Sequence, residues 1–265
     1  MRMTLRKSLK HWLYDRCPGV AGKFPYYGTK IRFRPGSMLF RVACEQGVYE
    51  AANLDLLVGL ARPGAWHFDV GGNIGLMAAP ILARVPECRV VSFEPSANVL
   101  PYLQRTAAES PFADRWTVVP KAVGAEVGIV KFSLSSPSNS PYDGMRATDR
   151  VAQEREVEVE LTTIDIEWKR LGSPEVSAIK IDVEGAELDV LRGANECLTT
   201  ARPAVLLEWN AENLAAYKYK PESLLEFARS IDWQILALPN LVEVRTFREL
   251  SLHMIRTESF LLAPR

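Results

Sequence analysis

The sequence predicts an α/β protein with a mostly parallel sheet covered by helices on both faces, and three observations predict it. Short apolar runs rich in β-branched and aromatic residues alternate with helix-length amphipathic stretches from Trp66 onward. The first of those runs ends in a glycine-rich loop, Asp69-Val70-Gly71-Gly72-Asn73-Ile74-Gly75, where such a sheet turns from strand to helix. The 265 residues are 48% hydrophobic and 24% charged, which suits a sheet buried on two faces and excludes a disordered or disulfide-framework chain.

The elements follow in order. Leu5, Leu9, Trp12 and Leu13 recur at helical spacing with Arg6, Lys7 and Lys10 elsewhere around the turn, so a short basic amphipathic helix is expected, ended by Pro18-Gly19. Residues 31–33 and 38–42 flank Pro35-Gly36 and predict a hairpin. Residues 49–60 predict a helix stopped by Pro63-Gly64. Strands at 66–70, 89–93 and 116–119 then alternate with helices at 74–83 and 97–108. Residues 127–134 and 157–161 alternate apolar with polar side chains, as a half-exposed antiparallel pair does. Between them, residues 135–150 are rich in Ser, Pro, Asn and Asp and predict a long loop of the kind that serves as a lid or binding loop. Strands at 178–181, 204–207, 233–237 and 259–262 and helices at 186–198 and 222–229 complete the chain. The organisation expected is a basic N-terminal extension of helix and hairpin, residues 1–44, followed by one α/β domain, residues 45–265.

Lys+Arg and Asp+Glu both number 32, so no global charge draws the chain to nucleic acid. The balance is uneven: residues 1–41 carry ten Lys/Arg and one acid, which leaves the remainder at a net charge of −9. The basic arm is read as a helix packed on the domain or on the partner subunit of a homodimer, or as a surface for an anionic substrate or for peripheral contact with a membrane. Cys17, Cys44, Cys88 and Cys197 are far apart with no CxxC and are read as reduced thiols. The longest apolar stretch, residues 75–83, falls far short of the roughly 20 residues of a transmembrane helix. No targeting segment stands out, and a cytoplasmic location is expected.

The chemistry concentrates where strands end. A GxGxxG dinucleotide fingerprint starting at Gly71 needs glycine at positions 73 and 76, where Asn73 and Leu76 stand, which disfavours a nicotinamide-dependent oxidoreductase. An acid followed by Gly71, Asn73 and Gly75 at alternate positions resembles instead the first motif of class I S-adenosylmethionine methyltransferases, DxGxGxG with Asn for the middle glycine. Glycine permits the sharp turn, Asn tolerates positive φ, and the following helix N-terminus favours a carboxylate, while Asp69 suits an ammonium. Glu94 in Val91-Ser92-Phe93-Glu94-Pro95 lies 19 residues after Gly75, the spacing of a carboxylate that accepts both hydroxyls of a ribose. Lys121 follows the third strand, where the adenine usually lies in this fold. Residues 178–187, AIKIDVEGAE, end another buried strand with Lys180, Asp182, Glu184 and Glu187, and Leu206-Leu207-Glu208-Trp209-Asn210 ends the next. Lys180 could neutralise this carboxylate cluster, and Glu187 could equally serve the first turn of its helix. His67 lies inside a strand and is read as structural.

The combination FDVGGNIG, SFEP, IKIDVEGAELDVLRGA and VLLEW resembles the FkbM family of S-adenosylmethionine-dependent methyltransferases over roughly residues 45–210, starting at EQGVYE, with KIDVEGAE its most specific element. Gly72 stands where Ala is common in that family. The resemblance implies the class I methyltransferase, Rossmann-like fold, a seven-stranded sheet whose last strand is antiparallel. It also implies S-adenosyl-L-methionine as cofactor and methyl transfer, most often to a hydroxyl on a sugar, polyketide or other secondary metabolite. The expected cofactor-binding residues are Asp69, Gly71, Gly72, Asn73, Gly75, Glu94, Lys121 and Asp182. A hydroxyl acceptor must lose its proton, so a general base is needed: Asp182 is the first candidate, with Glu184 and Glu208 following. These are hard oxygen donors, but no ligand spacing accompanies them, and no metal is expected. The acceptor expected is a small molecule or glycan, phosphorylated if the basic arm serves it. Two alternatives stay open: a non-catalytic S-adenosylmethionine-binding or interaction protein, and an RNA methyltransferase. The latter is opposed by the acidic body and by Asp182-Val183-Glu184-Gly185 standing where an aromatic NPPY-type motif belongs.

Overall fold

The computed structural model describes residues 21–136, 139–146 and 152–265. The amphipathic helix expected at 5–13, and with it the arm's dimer, membrane and anion contacts, lies outside these residues.

A hairpin, β1 (Lys23–Tyr26) and β2 (Thr29–Arg32), opens the described chain. Helices α1 (Met38–Gln46) and α2 (Ala51–Leu60) lead to β3 (Trp66–Val70), α3 (Ala78–Arg84), β4 (Arg89–Phe93), α4 (Leu100–Ala108) and β5 (Trp116–Val119). Three strands follow, β6 (Ala122–Val123), β7 (Gly128–Ser135) and β8 (Gln153–Thr162), then α5 (Ile164–Arg170), β9 (Val176–Ile181), α6 (Glu187–Arg192), α7 (Asn195–Thr200) and β10 (Ala204–Glu208). The chain closes with α8 (Ala211–Tyr217), α9 (Ser223–Ser230), β11 (Trp233–Ala237), β12 (Val242–Val244), α10 (Phe247–Met254) and β13 (Ser259–Pro264).

The main sheet has the order β12-β11-β13-β10-β9-β3-β4-β5. Strands β10, β9, β3, β4 and β5 are parallel, and β13 inserts antiparallel between β10 and β11. This is the class I methyltransferase sheet, with β12 added as an eighth strand on its edge. Every residue of β9 and all but Trp66 of β3 are buried, as strands covered on both faces must be. Strand order reverses between β3 and β9, so their carboxyl ends frame the crevice where such sheets take ligands.

The structure corrects the hairpin expected over residues 31–42. The hairpin lies earlier, about Tyr27 and Gly28 at φ 45° and 78°, the left-handed pair a two-residue loop requires. Residues 38–46 form a helix instead, because Leu39, Phe40 and Ala43 make one buried stripe and Phe40 stacks on Phe33 with ring centroids 4.0 Å apart. Helix α1 runs through position 44, and Ile31, Phe33 and Phe40 share a core cluster with Ile74, Leu103 and Trp116. The helix expected at 186–198 is two helices, interrupted at Gly193 and Ala194, whose ψ angles of 0° and 5° leave the helical range. The helix expected from residue 74 begins at Ala78, because Gly71, Asn73 and Gly75 all have positive φ and hold the intervening chain in turns. The antiparallel pair expected at 127–134 and 157–161 is present as β7 and β8, with β6 joining β8 in a separate three-stranded sheet.

Candidate active site

A cavity of about 290 Å³ opens at the carboxyl ends of β3, β4, β9 and β10. Helix α1 and the described part of the loop after β7, through Ser140, Tyr142 and Met145, close its other sides. The structure brings Gly71, Gly72, Asn73, Glu94, Lys121, Asp182, Glu184 and Glu208 to its wall. Asp69 and Gly75 are not on that wall.

The glycine loop is shaped by close approach. Gly71, at φ +82°, lies so near β9 that a Cβ there would fall 1.9 Å from the Asp182 carbonyl oxygen. Gly75, at φ +91°, makes room for Trp116, whose ring a Cβ would meet at 2.6 Å. Trp116 Nε1–H donates to Ser92 Oγ (3.0 Å), and Ser92 Oγ–H donates to Asp69 Oδ2 (3.3 Å). Asp69 is fully buried beneath the loop with Lys180 Nζ 3.7 Å from Oδ1. Burial raises its carboxyl above the usual range, and Lys180 opposes that rise. Asp69 therefore supports the loop from below.

Lys180 is the hub. Its Nζ donates to the Gly71 carbonyl (3.1 Å) and pairs with Asp182 Oδ2 (3.1 Å). Burial works against its charge, but the carboxylates of Asp182, Asp69 and Glu50 outweigh that and raise its pKa, so it stays an ammonium. The Asp182 N–H donates to the Val70 carbonyl (3.0 Å), tying the two strand ends together.

Glu94 presents a carboxylate held from both sides. Asn73 N–H donates to Oε2 and Ser96 N–H to Oε1, each at 2.8 Å. Burial pushes its pKa up to about 7 in spite of these donors. Glu187 serves the turn before its helix, since Oε1 accepts from the N–H groups of Val183 (3.2 Å) and Gly185 (3.1 Å). Glu184 sits in that turn at φ 57°, buried. Glu208 accepts from Asn210 Nδ2, and burial with the nearby charges of Asp182 and Glu184 raises its pKa above the usual carboxylate range. Lys121 Nζ lies 3.1 Å from Glu160 and 3.7 Å from Glu167. His67 is buried within β3, and burial followed by Lys180 lowers its pKa to about 3, so it is neutral.

Sequence reasoning missed Glu50 and Glu258, both on the wall. Glu50 precedes α2 in the left-handed region at φ 44° and ends the EQGVYE stretch, which was its only signal; Glu258 had none. Among the described residues no group of three or more His, Cys, Asp or Glu is arranged to hold a metal ion, and no helix is long and apolar enough to cross a membrane.

The model of the methyltransferase FkbM domain matches residues 69–232. A methyltransferase of Sordaria araneosa, sdnD, is 25% identical over 203 residues, 66% of this chain and 74% of that protein. Methyltransferase 1 of Beauveria bassiana is 27% identical over 144 residues, 48% of this chain and 57% of its own length. The crystal structure of an FkbM methyltransferase from Methylobacillus flagellatus aligns over 96% of this chain and 59% of its own, at 16% identity and a TM-score of 0.47.

Proposed function

The chain belongs to the FkbM family of methyltransferases, with S-adenosyl-L-methionine as cofactor, and we propose that it methylates a hydroxyl of a small molecule or glycan with Asp182 as general base. The observation that carries this reading is the position of Asp182: on the cavity wall, at the strand-order switch, beside the glycine loop and paired with Lys180.

The cavity suits the cofactor by its own features. Gly71 and Gly72 line the wall in a loop packed so closely on Asp182 and Ser92 that a Cβ at either position would collide with them, which fixes the path of the loop along the cavity. Asn73 Oδ1 is buried without a hydrogen-bond partner among the described residues. Glu94 would take the ribose hydroxyls, Lys121 would border the adenine, and Gly71 to Asn73 would face the methionine end. When bound, the cofactor supplies an electrophilic methyl group.

The chain's own groups do the rest. Asp182 accepts the proton of the acceptor hydroxyl. Lys180 holds Asp182 in place, and proximity supplies much of the acceleration. Burial and its acidic neighbours make Glu208 harder to ionise than an ordinary carboxyl group; hydrogen-bonded to Asp182, it orients that carboxylate. Glu50, Asp182, Glu184 and Glu258 line the cavity with Lys180 among them, an excess of acidic groups that opposes a phosphoryl group beside the reacting oxygen and favours a neutral or cationic acceptor.

The test is release of S-adenosylhomocysteine with a panel of hydroxylated sugars and secondary metabolites, with RNA and simple amines as the other arms. Turnover on a hydroxyl, with Asp182→Asn lowering kcat by ~10²–10⁴-fold, is the expected result. Turnover only on amines or RNA, or a full rate in Asp182→Asn, would overturn it. Cofactor binding without turnover in any arm would favour the non-catalytic alternative.

A further inference from the structure

One buried carboxylate has no part in the chemistry above. Asp143 is 8% exposed and lies in the segment that closes the cavity. Its four donors come from two separate parts of the fold. Oδ1 accepts from the Ser135 N–H and the Ser135 hydroxyl, both at 2.7 Å, at the end of β7. Oδ2 accepts from the Ser96 hydroxyl (2.5 Å) and Asn98 Nδ2 (2.9 Å), in the turn after β4. Asn98 reinforces the link, donating from Nδ2 to the Ser135 carbonyl (3.2 Å) and from its N–H to Ser96 Oγ (3.1 Å). Among the described residues no salt bridge is formed by Asp143, so hydrogen bonds hold this side chain, and each must be well placed.

Ser96 is the hinge of the argument. Its hydroxyl is held by Asp143, and its N–H holds Glu94 Oε1. Strand β7 belongs to the small sheet and β4 to the main one, so Asp143 ties the cavity's cover to the turn that aims Glu94. We propose that Asp143 is a positioning residue for cofactor binding, holding Ser96 so that Glu94 meets the two ribose hydroxyls in a single orientation. The proposal rests on the reading of Glu94 as the ribose ligand.

A purely structural Asp143 would change folding and leave ligand selectivity alone. The experiment therefore measures adenosine and 2′-deoxyadenosine as competitors of S-adenosylmethionine binding, using the full chain, Glu94→Gln, Asp143→Ala and Ser96→Ala. The wild type should prefer adenosine by ~10-fold or more, the scale of a hydrogen bond to a charged group. Glu94→Gln should lose that preference. Asp143→Ala should weaken S-adenosylmethionine binding by ~10-fold and bring the preference to within ~3-fold. Ser96→Ala should do so less strongly, and the double variant should be no worse than Asp143→Ala, since both act through one network. If Glu94→Gln keeps the preference, the ribose reading fails and the proposal falls with it. If Glu94→Gln loses it while a folded Asp143→Ala keeps it, the positioning role is wrong and the ribose reading stands. If Asp143→Ala does not fold, Ser96→Ala decides: a reduced preference supports the role and an intact one overturns it.

Discussion

Adjacent glycines in the first loop should respond very differently to the same added methyl group. In Gly71→Ala the new Cβ falls 1.9 Å from the Asp182 carbonyl oxygen, where real contacts are essentially never under 3.0 Å, so one backbone must retreat by more than 1 Å. Neither can do so freely. Gly71 N–H is bonded to the Phe93 carbonyl (3.0 Å), its carbonyl accepts from Lys180, and Asp182 N–H is bonded to Val70. The left-handed backbone costs a non-glycine residue about 1–2 kcal/mol. Losing two of those hydrogen bonds adds about 1 kcal/mol each, for a total near 3–4 kcal/mol. At ~2–4 °C per kcal/mol for a domain of this size, the melting temperature should fall by ~6–16 °C, and S-adenosylmethionine affinity should fall by at least ~10-fold as the loop leaves the cavity wall. Gly72 has no positive φ, and its added Cβ meets side chains rather than backbone: Ser92 Cβ at 2.8 Å, with Ser92 Oγ and Asp69 Oδ2 at 3.3 Å. That crowding is offset in part by the ~0.4–1 kcal/mol gained from a stiffer unfolded chain. Gly72→Ala should stay within ~4 °C of the wild type. Differential scanning fluorimetry and calorimetric titration read both variants. Equal melting temperatures for the two, or an undisturbed Gly71→Ala, would refute the wedge of β3 against Asp182 and with it the account of why this loop needs glycine.

Two further outcomes follow from the buried charges. Lys180→Met leaves Asp69 and Asp182 without their ammonium and should cost about 3–5 kcal/mol at about pH 8; the deficit should shrink toward about pH 4, where a carboxylate whose folded pKa is raised by burial takes up a proton. A deficit independent of pH in urea unfolding would contradict this. Glu187 has its pKa pushed from 4.5 to about 7, so its contribution to stability is fully present below 4.5 and is lost as pH rises through 7, about 3 kcal/mol in all. Glu187→Gln keeps the oxygen that accepts from Val183 and Gly185 but cannot ionise. Relative to the wild type it should therefore gain stability as pH rises across that window, and parallel pH profiles for the two proteins would count against the buried-acid reading.

Much of the fold was legible because its central strands are buried on both faces and so read as continuous apolar runs. The spans expected at 66–70, 89–93, 116–119 and 233–237 coincide with β3, β4, β5 and β11. Helices α5, α8 and α10 were not expected, although Thr163, Asn210 and Thr246 cap their first turns with side-chain hydrogen bonds. Their short apolar stripes gave too little periodicity. Pro35-Gly36 misled the reading of α1, since a turn signal between two apolar runs looks alike whether a strand or a helix follows.

The sequence by itself determined where chemistry would sit: acids and glycines at the ends of buried strands have few other reasons to be there, and in a parallel sheet those ends converge. Only the tertiary structure decided what each group does. It put Asp69 under the loop, Gly75 against Trp116, Glu187 into a turn and Glu208 beside Asp182, and it brought in Glu50, Glu258 and Asp143 from distant segments. The physical reason is that a carboxylate's role depends on its burial, its donors and the charges within a few ångströms, and those neighbours come from strands and loops far apart in the chain.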